Sequence, residues 1–439
     1  MKIEDKLRQN AERYPDDVAV VCGEQSLSYG DLYKSVCVKA QTMEEKRGHL
    51  VPIEACTSID FLVTYFAAHL VGGIAVPLDK SVLGNICEKF SCCTLDDGCG
   101  TGIADLLYTT GTTGKAKGVM VSHDAIVADA ENLVDSQRFT HDLTYVITGP
   151  LNHIGSLSKV YPTIYVGGTV CLLDGMKNIN AFFSAIDNAP SKVATFLVPS
   201  SIRMLLALSG NKLSQYAHKI DFIETGAAPM PLSDMQTLCR LLPQSRLYNT
   251  YASTETGIIS TYNFNDGECI PGCLGLPMRH SSFFITDEGR VACKGRTLMS
   301  GYWENTASIR YVVQNDTIVT SDIGSIDQYG RLRLMGRNDD VLNIGGFKVN
   351  PVEVENIALS FPGVKDCICI SVPHPIIGQI LKLLVVPQND YNRKALAVFL
   401  KTRLESYKVP SAYDEVEKIR RTYNGKLDRK SYCPPSLSK

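Results

Sequence analysis

The sequence predicts an α/β chain with a large N-terminal layered domain and a smaller C-terminal unit, on three observations. Helix-like and strand-like stretches alternate over the first 80 residues, the pattern of a layered α/β domain. The length, 439 residues, is generous for one core and comfortable for two or three. A turn at Gln328 to Gly330, a short strand and the polar run Arg337-Asn338-Asp339-Asp340 mark a hinge, which divides residues 1–337 from 338–439. A hydrophobic content of 44% with 21% charged residues is ordinary for a soluble globular chain. The net charge of -2 gives no electrostatic footprint for nucleic acid or anionic membrane. The N-terminus, MKIEDKLRQNAERYPDD, is polar and amphipathic without an apolar signal core, so the expected location is cytoplasmic.

The elements follow in order. An amphipathic opening helix leads to a strand at Val18 to Cys22, a helix from about Tyr29 and a strand near Leu50 to Glu54. Phe61 to Leu78 is long enough to suggest a bilayer span. Its Gly72-Gly73 pair, His69 and Pro77 argue for a buried helix ending at the glycines, then a strand Ile74 to Val76. Fifteen cysteines are many. Cys87, Cys92, Cys93 and Cys99 contain no C-x-x-C pair and no nearby His, so neither zinc nor a disulfide framework is expected, and most thiols should fill small apolar gaps.

Tyr108 to Val119, YTTGTTGKAKGV, carries the strongest chemical signal. Seven of its twelve residues are Thr or Gly, giving hydroxyls and approachable backbone N–H groups suited to phosphate. Gly and Thr runs also make plain turns, but apolar residues flank this one and two lysines lie inside it. It is not the Walker loop, which needs Gly where Thr109 stands and Ser or Thr where Ala116 stands. His123 to Asp135 reads as a helix capped by Ser122, with its positive N-terminus expected to face the phosphates.

Beyond it, short apolar strands are expected at Thr169 to Leu173 and Thr195 to Pro199, with helices at Ala181 to Asn188 and Ser201 to Leu208. Phe222 to Pro229, FIETGAAP, is a strand running into a turn of small residues, where a flat ring can lie against the backbone. In the last hundred residues Pro351 begins a helix with Glu353 and Glu355 in its first turn. Strands Asp366 to Val372 and Leu381 to Pro387 and a helix Arg393 to Leu404 complete a small domain.

Five stretches together resemble the acyl-adenylate-forming (AMP-binding) superfamily, specifically its acyl- and aryl-CoA ligases. They are YTTGTTGKAKGV, with Ala116 where the family usually has Pro; FIETGAAP; YASTETG at Tyr251 to Gly257, with Ala252 where Gly is usual; TSDIG at Thr320 to Gly324; and NGK at Asn424 to Lys426. The resemblance runs from about residue 5 in family order. It implies the adenylating-enzyme fold, with a small mobile C-terminal α+β lid domain. It places phosphates at Thr109, Thr110, Gly111, Thr112, Thr113, Gly114 and Lys117, adenine at Gly226, Ala227 and Tyr251, and the ribose at Asp322 and Arg337. It makes Lys426, Glu255 and Thr254 catalytic, with Glu255 also holding Mg²⁺, and puts the hinge at Asp339 and Gly346 beside a thiol channel.

VITGPLNHIG, at Val146 to Gly155, resembles the family segment that lines the acyl pocket, which implies substrate contacts for His153 and Gly155. Amino-acid-activating relatives place an Asp just after it; here Gly155 to Ser158 follow, so a fatty or aromatic acid is favoured over an amino acid. The resemblance implies ATP, Mg²⁺ and coenzyme A as reactants. The thiol of coenzyme A is expected because the chain stands alone and ends soon after the lysine; an acyl carrier protein is the second choice and a nucleotide-binding regulator the third. Asn343 stands where many CoA ligases have Lys. The length and PLNHIG also resemble succinylbenzoate-CoA ligases, though the sequence shows no charge signature for a dicarboxylate. Asp79 to Gly102 is short beside the family.

Overall fold

The structure, a computed structural model, describes residues 1–81, 102–110, 116–304, 308–310, 316–344, 347–375, 378–421 and 427–432. The four cysteines 87, 92, 93 and 99 lie outside the described residues.

The helices are α1 (Ile3–Arg13), α2 (Tyr29–Gln41), α3 (Ile59–Leu70), α4 (His123–Gln137), α5 (Ile154–Val166), α6 (Ile179–Asn188), α7 (Pro199–Gln215), α8 (Leu232–Leu241), α9 (Pro351–Leu359) and α10 (Arg393–Lys401). One sheet has the order β14-β15-β18-β19-β13-β12-β11-β10-β9-β7-β8-β1-β2. Its parallel part comprises β1 (Val18–Cys22), β7 (Thr144–Ile147), β8 (Thr169–Leu172), β9 (Val193–Phe196), β10 (Ile220–Gly226) and β11 (Arg246–Ser253). Helices α5 to α8 make the crossovers that parallel strands require. β2 (Gln25–Ser28) is antiparallel to β1. The remaining strands are antiparallel: β12 (Gly257–Asn263), β13 (Cys273–Pro277), β14 (Ser281–Ile285), β15 (Arg290–Gly295), β18 (Thr317–Ile326) and β19 (Leu332–Arg337). A second sheet runs β17-β16-β6-β5-β4-β3, from β3 (Leu50–Glu54), β4 (Ile74–Leu78), β5 (Ile103–Thr110), β6 (Ala116–Ser122), β16 (Gly301–Glu304) and β17 (Ser308–Arg310).

Local chemistry explains many boundaries. Ser58 Oγ accepts from Phe61 N–H at the start of α3, and Gly72 adopts φ +78° just past its end. α3 is buried nearly all round, which explains its membrane-like composition. No helix among the described residues is long and apolar enough to cross a membrane. Pro199, expected at a strand end, instead opens α7, and β9 stops at Phe196; a proline ring suits the first helical turn and cannot donate to a ladder.

β5 and β6 form an antiparallel hairpin whose tip is residues 111–115. This corrects the expectation that α4 points its N-terminus at the phosphate loop. β6 carries the chain away from the tip for roughly 20 Å at about 3.3 Å per residue before α4 begins. Ser122 does cap it, accepting from Ala125 N–H, but His123 is buried beside Glu4 and His69.

That junction is a buried charge network. His69 Nδ1 donates to Glu4 Oε1 at 2.7 Å and Nε2 to Asp105 Oδ1 at 2.9 Å. Asp105 Oδ2 also accepts from Tyr65 Oη at 2.8 Å and Tyr161 Oη at 3.2 Å. Burial opposes charge on His69, but the two carboxylates outweigh it and raise its pKa to about 10. With both nitrogens donating, this ring has no lone pair for a metal, although Glu4, His69 and His123 stand within ligand distance of one another. His123 is lowered to about 3, by burial and then by the His69 charge.

The C-terminal part follows a 3₁₀ turn at Asn338–Asp340 and a ribbon of β20 (Leu342–Ile344) and β21 (Phe347–Val349). The strands β22 (Val364–His374), β23 (Gly378–Pro387) and β24 (Ala412–Glu415) form its sheet over a core including Val349, Leu383 and Leu396. Asn350 caps α9 and Pro351 is its first residue. Glu355, expected to serve the helix dipole, instead points inward: it is 4% exposed and takes both terminal nitrogens of Arg429 at 2.6 Å. An acidic residue this far inside needs a partner more than it needs a helix end.

A His held charged by native contacts stabilises the fold below its unfolded pKa, near 6.5, and loses that contribution as pH rises toward its folded value. Chemical denaturation should therefore show stability falling from pH 6.5 to 10 with a His69 contribution of up to about 1.4 kcal/mol per pH unit. His69→Gln should flatten that slope and cost about 3–5 kcal/mol at pH 6; an unchanged slope would refute the charge assignment.

Candidate active site

The parallel strands β9, β10 and β11 end side by side, and the candidate residues gather beyond their carboxyl ends, where open α/β sheets bind ligands. β10 ends at Gly226, in register with Thr250 of β11. A Cβ at Gly226 would meet Thr250 O at 2.8 Å, so the close approach of these two backbones requires glycine. Ala227 follows with φ +66°, a left-handed conformation that a side chain adopts at some cost and that turns the chain sharply across the strand ends.

Tyr251, on β11, is buried, and its hydroxyl donates to Asp322 Oδ2 at 2.7 Å. β12, β13 and β19 separate β11 from β18 in the sheet, so a flat sheet would hold these strands about 19 Å apart. The hydrogen bond therefore requires the sheet to curl back on itself. Asp322 pairs in register with Arg337 of β19, whose Nε lies 3.6 Å from Asp322 Oδ1. Burial, then the Asp322 charge, push the Tyr251 phenol up, so it remains a donor at neutral pH. Tyr251, Asp322 and Arg337 form one unit although 86 positions span them in sequence.

A second unit lies around Glu255, in the turn after β11 with half-buried Thr254. Glu255 Oε1 accepts from Tyr302 Oη at 3.0 Å, and the backbone carbonyl of Glu255 accepts from Met299 N–H at 2.8 Å. Tyr302 is in register with Val119 of β6, and Lys117 Nζ lies 5.0 Å from its ring centroid, within cation–π range. Burial, then the Glu255 charge, raise the Tyr302 phenol. Tyr302 thus links β6 to the carboxylate of Glu255. Thr109 pairs in register with Lys117, and Thr110 ends β5. Gly111, Thr112, Thr113, Gly114, Gly346 and Lys426 lie outside the described residues.

The third unit surrounds Phe196, a residue that sequence reasoning missed. His153 is the N-cap of α5. A Cβ at Gly155 would lie 3.3 Å from Phe196 Cε1, and one at Gly226 would lie 3.6 Å from Cε2. On the same side Lys159 Nζ is 5.4 Å from the ring centroid and donates to Glu224 Oε1 at 2.8 Å. Tyr145 Oη approaches Glu224 Oε2 at 3.4 Å. The side chains of Lys159 and Glu224 are 3% and 1% exposed, so each charge is neutralised by the other. Asp339 lies exposed in the 3₁₀ turn after β19.

The profile of the AMP-binding enzyme family matches residues 7–84 and 99–303, and that of the AMP-binding enzyme C-terminal domain matches 353–426. The chain belongs to the AMP-binding enzymes. Among curated relatives, the 2-succinylbenzoate–CoA ligase of Staphylococcus aureus strain JH9 is 28% identical over 336 residues, covering 74% of this chain and 66% of the relative. This AMP-binding enzyme therefore spans just under two thirds of that relative's length. Among solved structures, ATP-bound MatB from Rhodopseudomonas palustris has a TM-score of 0.86 at 22% identity, covering 98% of this chain and 99% of MatB. The o-succinylbenzoate CoA synthetase MenE from Bacillus subtilis, in complex with its acyl-adenylate intermediate, has a TM-score of 0.81 at 22% identity and 97% coverage of both chains. The shared fold is thus the large α/β domain with a small C-terminal domain.

Removing one partner of a buried ion pair leaves the other charge uncompensated. Lys159→Met should lower stability by about 3–5 kcal/mol in urea denaturation. Lys159→Met combined with Glu224→Gln should recover part of that loss; an additive double variant would show that the two side chains act separately.

Proposed function

We propose that this protein activates a carboxylic acid with ATP as an acyl-adenylate and transfers the acyl group to the thiol of coenzyme A. The observation that carries this reading is the assembly, at one edge of the curled sheet, of Tyr251, Asp322 and Arg337 with Lys117, Tyr302 and Glu255. The first group suits a ribose flanked by phosphate, the second a metal-bound polyphosphate. The relatives named as CoA ligases support the same reading.

In the first half-reaction a carboxylate oxygen attacks the α-phosphorus of ATP, the bond to the β-phosphate oxygen breaks, and pyrophosphate leaves. Asp322 accepts from both ribose hydroxyls, a bidentate geometry that its two oxygens allow. Tyr251 and the small residues Gly226 and Ala227 border the adenine. Thr254 donates to the α-phosphate, and Lys117 with Arg337 offsets the charge that gathers as the two anions meet. Glu255 fits Mg²⁺: one oxygen is engaged by Tyr302, leaving the other as a hard ligand. Bound there, the ion would screen the polyphosphate charge. Lys426 balances charge at the reacting carboxyl. In the second half-reaction the deprotonated thiol attacks the acyl carbon and AMP leaves. Asn343, where many relatives carry Lys, faces Lys348 across the ribbon, so a cation is still at hand there.

For the acid, Gly155, Phe196 and Gly226 form an apolar wall. Glu224, the carboxylate beside it, already carries the Lys159 charge. With that carboxylate engaged, a fatty or aromatic acid fits this wall better than an α-ammonium group. Acids of the succinylbenzoate type head the panel because curated relatives bear that name.

Incubation with ATP, Mg²⁺, coenzyme A and a pooled panel of fatty, aromatic and amino acids, read by mass spectrometry, should yield an acyl-CoA. Acyl-AMP alone would point to a carrier-protein thiol, and neither product would favour a nucleotide-binding regulator. Lys426→Ala should reduce acyl-AMP formation at least about 100-fold. Asp322→Ala, which deletes a charge-assisted pair of hydrogen bonds worth about 1.5–3 kcal/mol, should raise the AMP dissociation constant about 10- to 100-fold by calorimetry.

A further inference from the structure

Asp366, at the start of β22, is the meeting point of two arginines, one from each domain. Arg203, in the second turn of α7, donates Nη1 to Asp366 Oδ1 at 3.4 Å and Nε to Asp234 Oδ2 at 3.1 Å. Asp234 is in the first turn of α8, so the arginine joins two helices that follow β9 and β10, the strands ending at Phe196 and Gly226. From the small domain Arg421 reaches the same carboxylate with one nitrogen, 3.0 Å from Oδ1 and 2.7 Å from Oδ2. Arg421 in turn forms an antiparallel bridge with Leu427, the pair that brackets the segment ending at Lys426. Asp366, Arg203 and Arg421 are 17%, 25% and 25% exposed in their side chains. Their charges are partly desolvated and lie within ion-pair distance. They line a small cleft between the domains with Pro199, Ala228, Val352 and Leu359.

We propose that Asp366 is a positioning residue for the first half-reaction, holding the Arg421–Leu427 bridge against the large domain through Arg203. The inference rests on the two-step ligase reading above. An arginine shared between Asp234 and Asp366 favours this docking of the small domain. In any arrangement that separates the domains, Arg203 keeps Asp234 and Asp366 keeps Arg421. The link therefore biases one docked state at no cost in buried unpaired charge when it opens. In the ligase reading Lys426, the residue before Leu427 of the bridge, serves adenylate formation, so this docking serves that step and not transfer from a finished acyl-adenylate.

Arg203→Ala, Arg203→Lys and Asp366→Asn would be compared in two assays: ATP–pyrophosphate exchange with the acid, and thioester formation from supplied acyl-adenylate and coenzyme A. Exchange should fall about 10- to 100-fold in kcat for Arg203→Ala and Asp366→Asn, as expected for a misplaced catalytic segment. KM for ATP should stay within about twofold, Arg203→Lys should recover part of the loss, and the double variant should be no worse than Asp366→Asn alone. The second assay should change less than about twofold. Small-angle scattering, which needs no substrate, should show a larger radius of gyration for Arg203→Ala than for the parent chain. Because Arg203 is partly exposed, this variant tests the link even if Asp366→Asn does not fold. Equal losses in both assays, or an unchanged radius of gyration, would overturn the proposal. A parent chain that makes no acyl-adenylate refutes the ligase reading instead, and the scattering comparison then decides the link alone.

Discussion

A carboxylate without exposed surface, that of Asp105, stands near the root of β5 in the second sheet, and the helices packed there are arranged around neutralising it. Its oxygens take His69 and Tyr65 from α3 and Tyr161 from α5, and His69 passes the charge on to Glu4 of α1. Burying such a group is tolerable only if every partner arrives in good geometry. The network therefore dictates where three helices meet. It also anchors the β5 end of the β5–β6 hairpin, where Asp105 lies in register with Val121.

The curl of the large sheet performs the complementary task. Antiparallel strands β12 to β19 wrap until Asp322 meets Tyr251, which turns a sheet edge into a concave site. Glycines enable this wrapping at specific places. Gly275, at φ +78°, faces Thr261 O too closely for any side chain, and that contact lets β13 lie close against β12 as its antiparallel neighbour.

How much of this was legible depended on distance along the chain. The helix cap at Ser122, the helix start at Pro351, the end of α3 at Gly72, and the apolar strands were readable because neighbours a few residues apart decide them. Thr254 and Asp322 were singled out because the short runs that carry them resemble the family's motifs. The direction of α4 was not, since only the pairing of β5 with β6 shows that the chain leaves the loop before the helix begins. Tyr302, Phe196 and the Lys159–Glu224 pair were hidden for the same reason: their partners lie 47 to 65 residues away or on another strand end. Glu355 obeyed the local preference of acidic residues for helix starts, and a partner 74 residues downstream overrode it.

The chain contains a single tryptophan, Trp303. It is nearly buried and in register with Gly118 of β6, one residue from Tyr302 and close to Lys117. The molecule's only indole chromophore thus sits in β16, between β6 and the Tyr302–Glu255 hydrogen bond that joins the two sheets. Its emission is an intrinsic optical gauge of that junction, free of any background from a second indole.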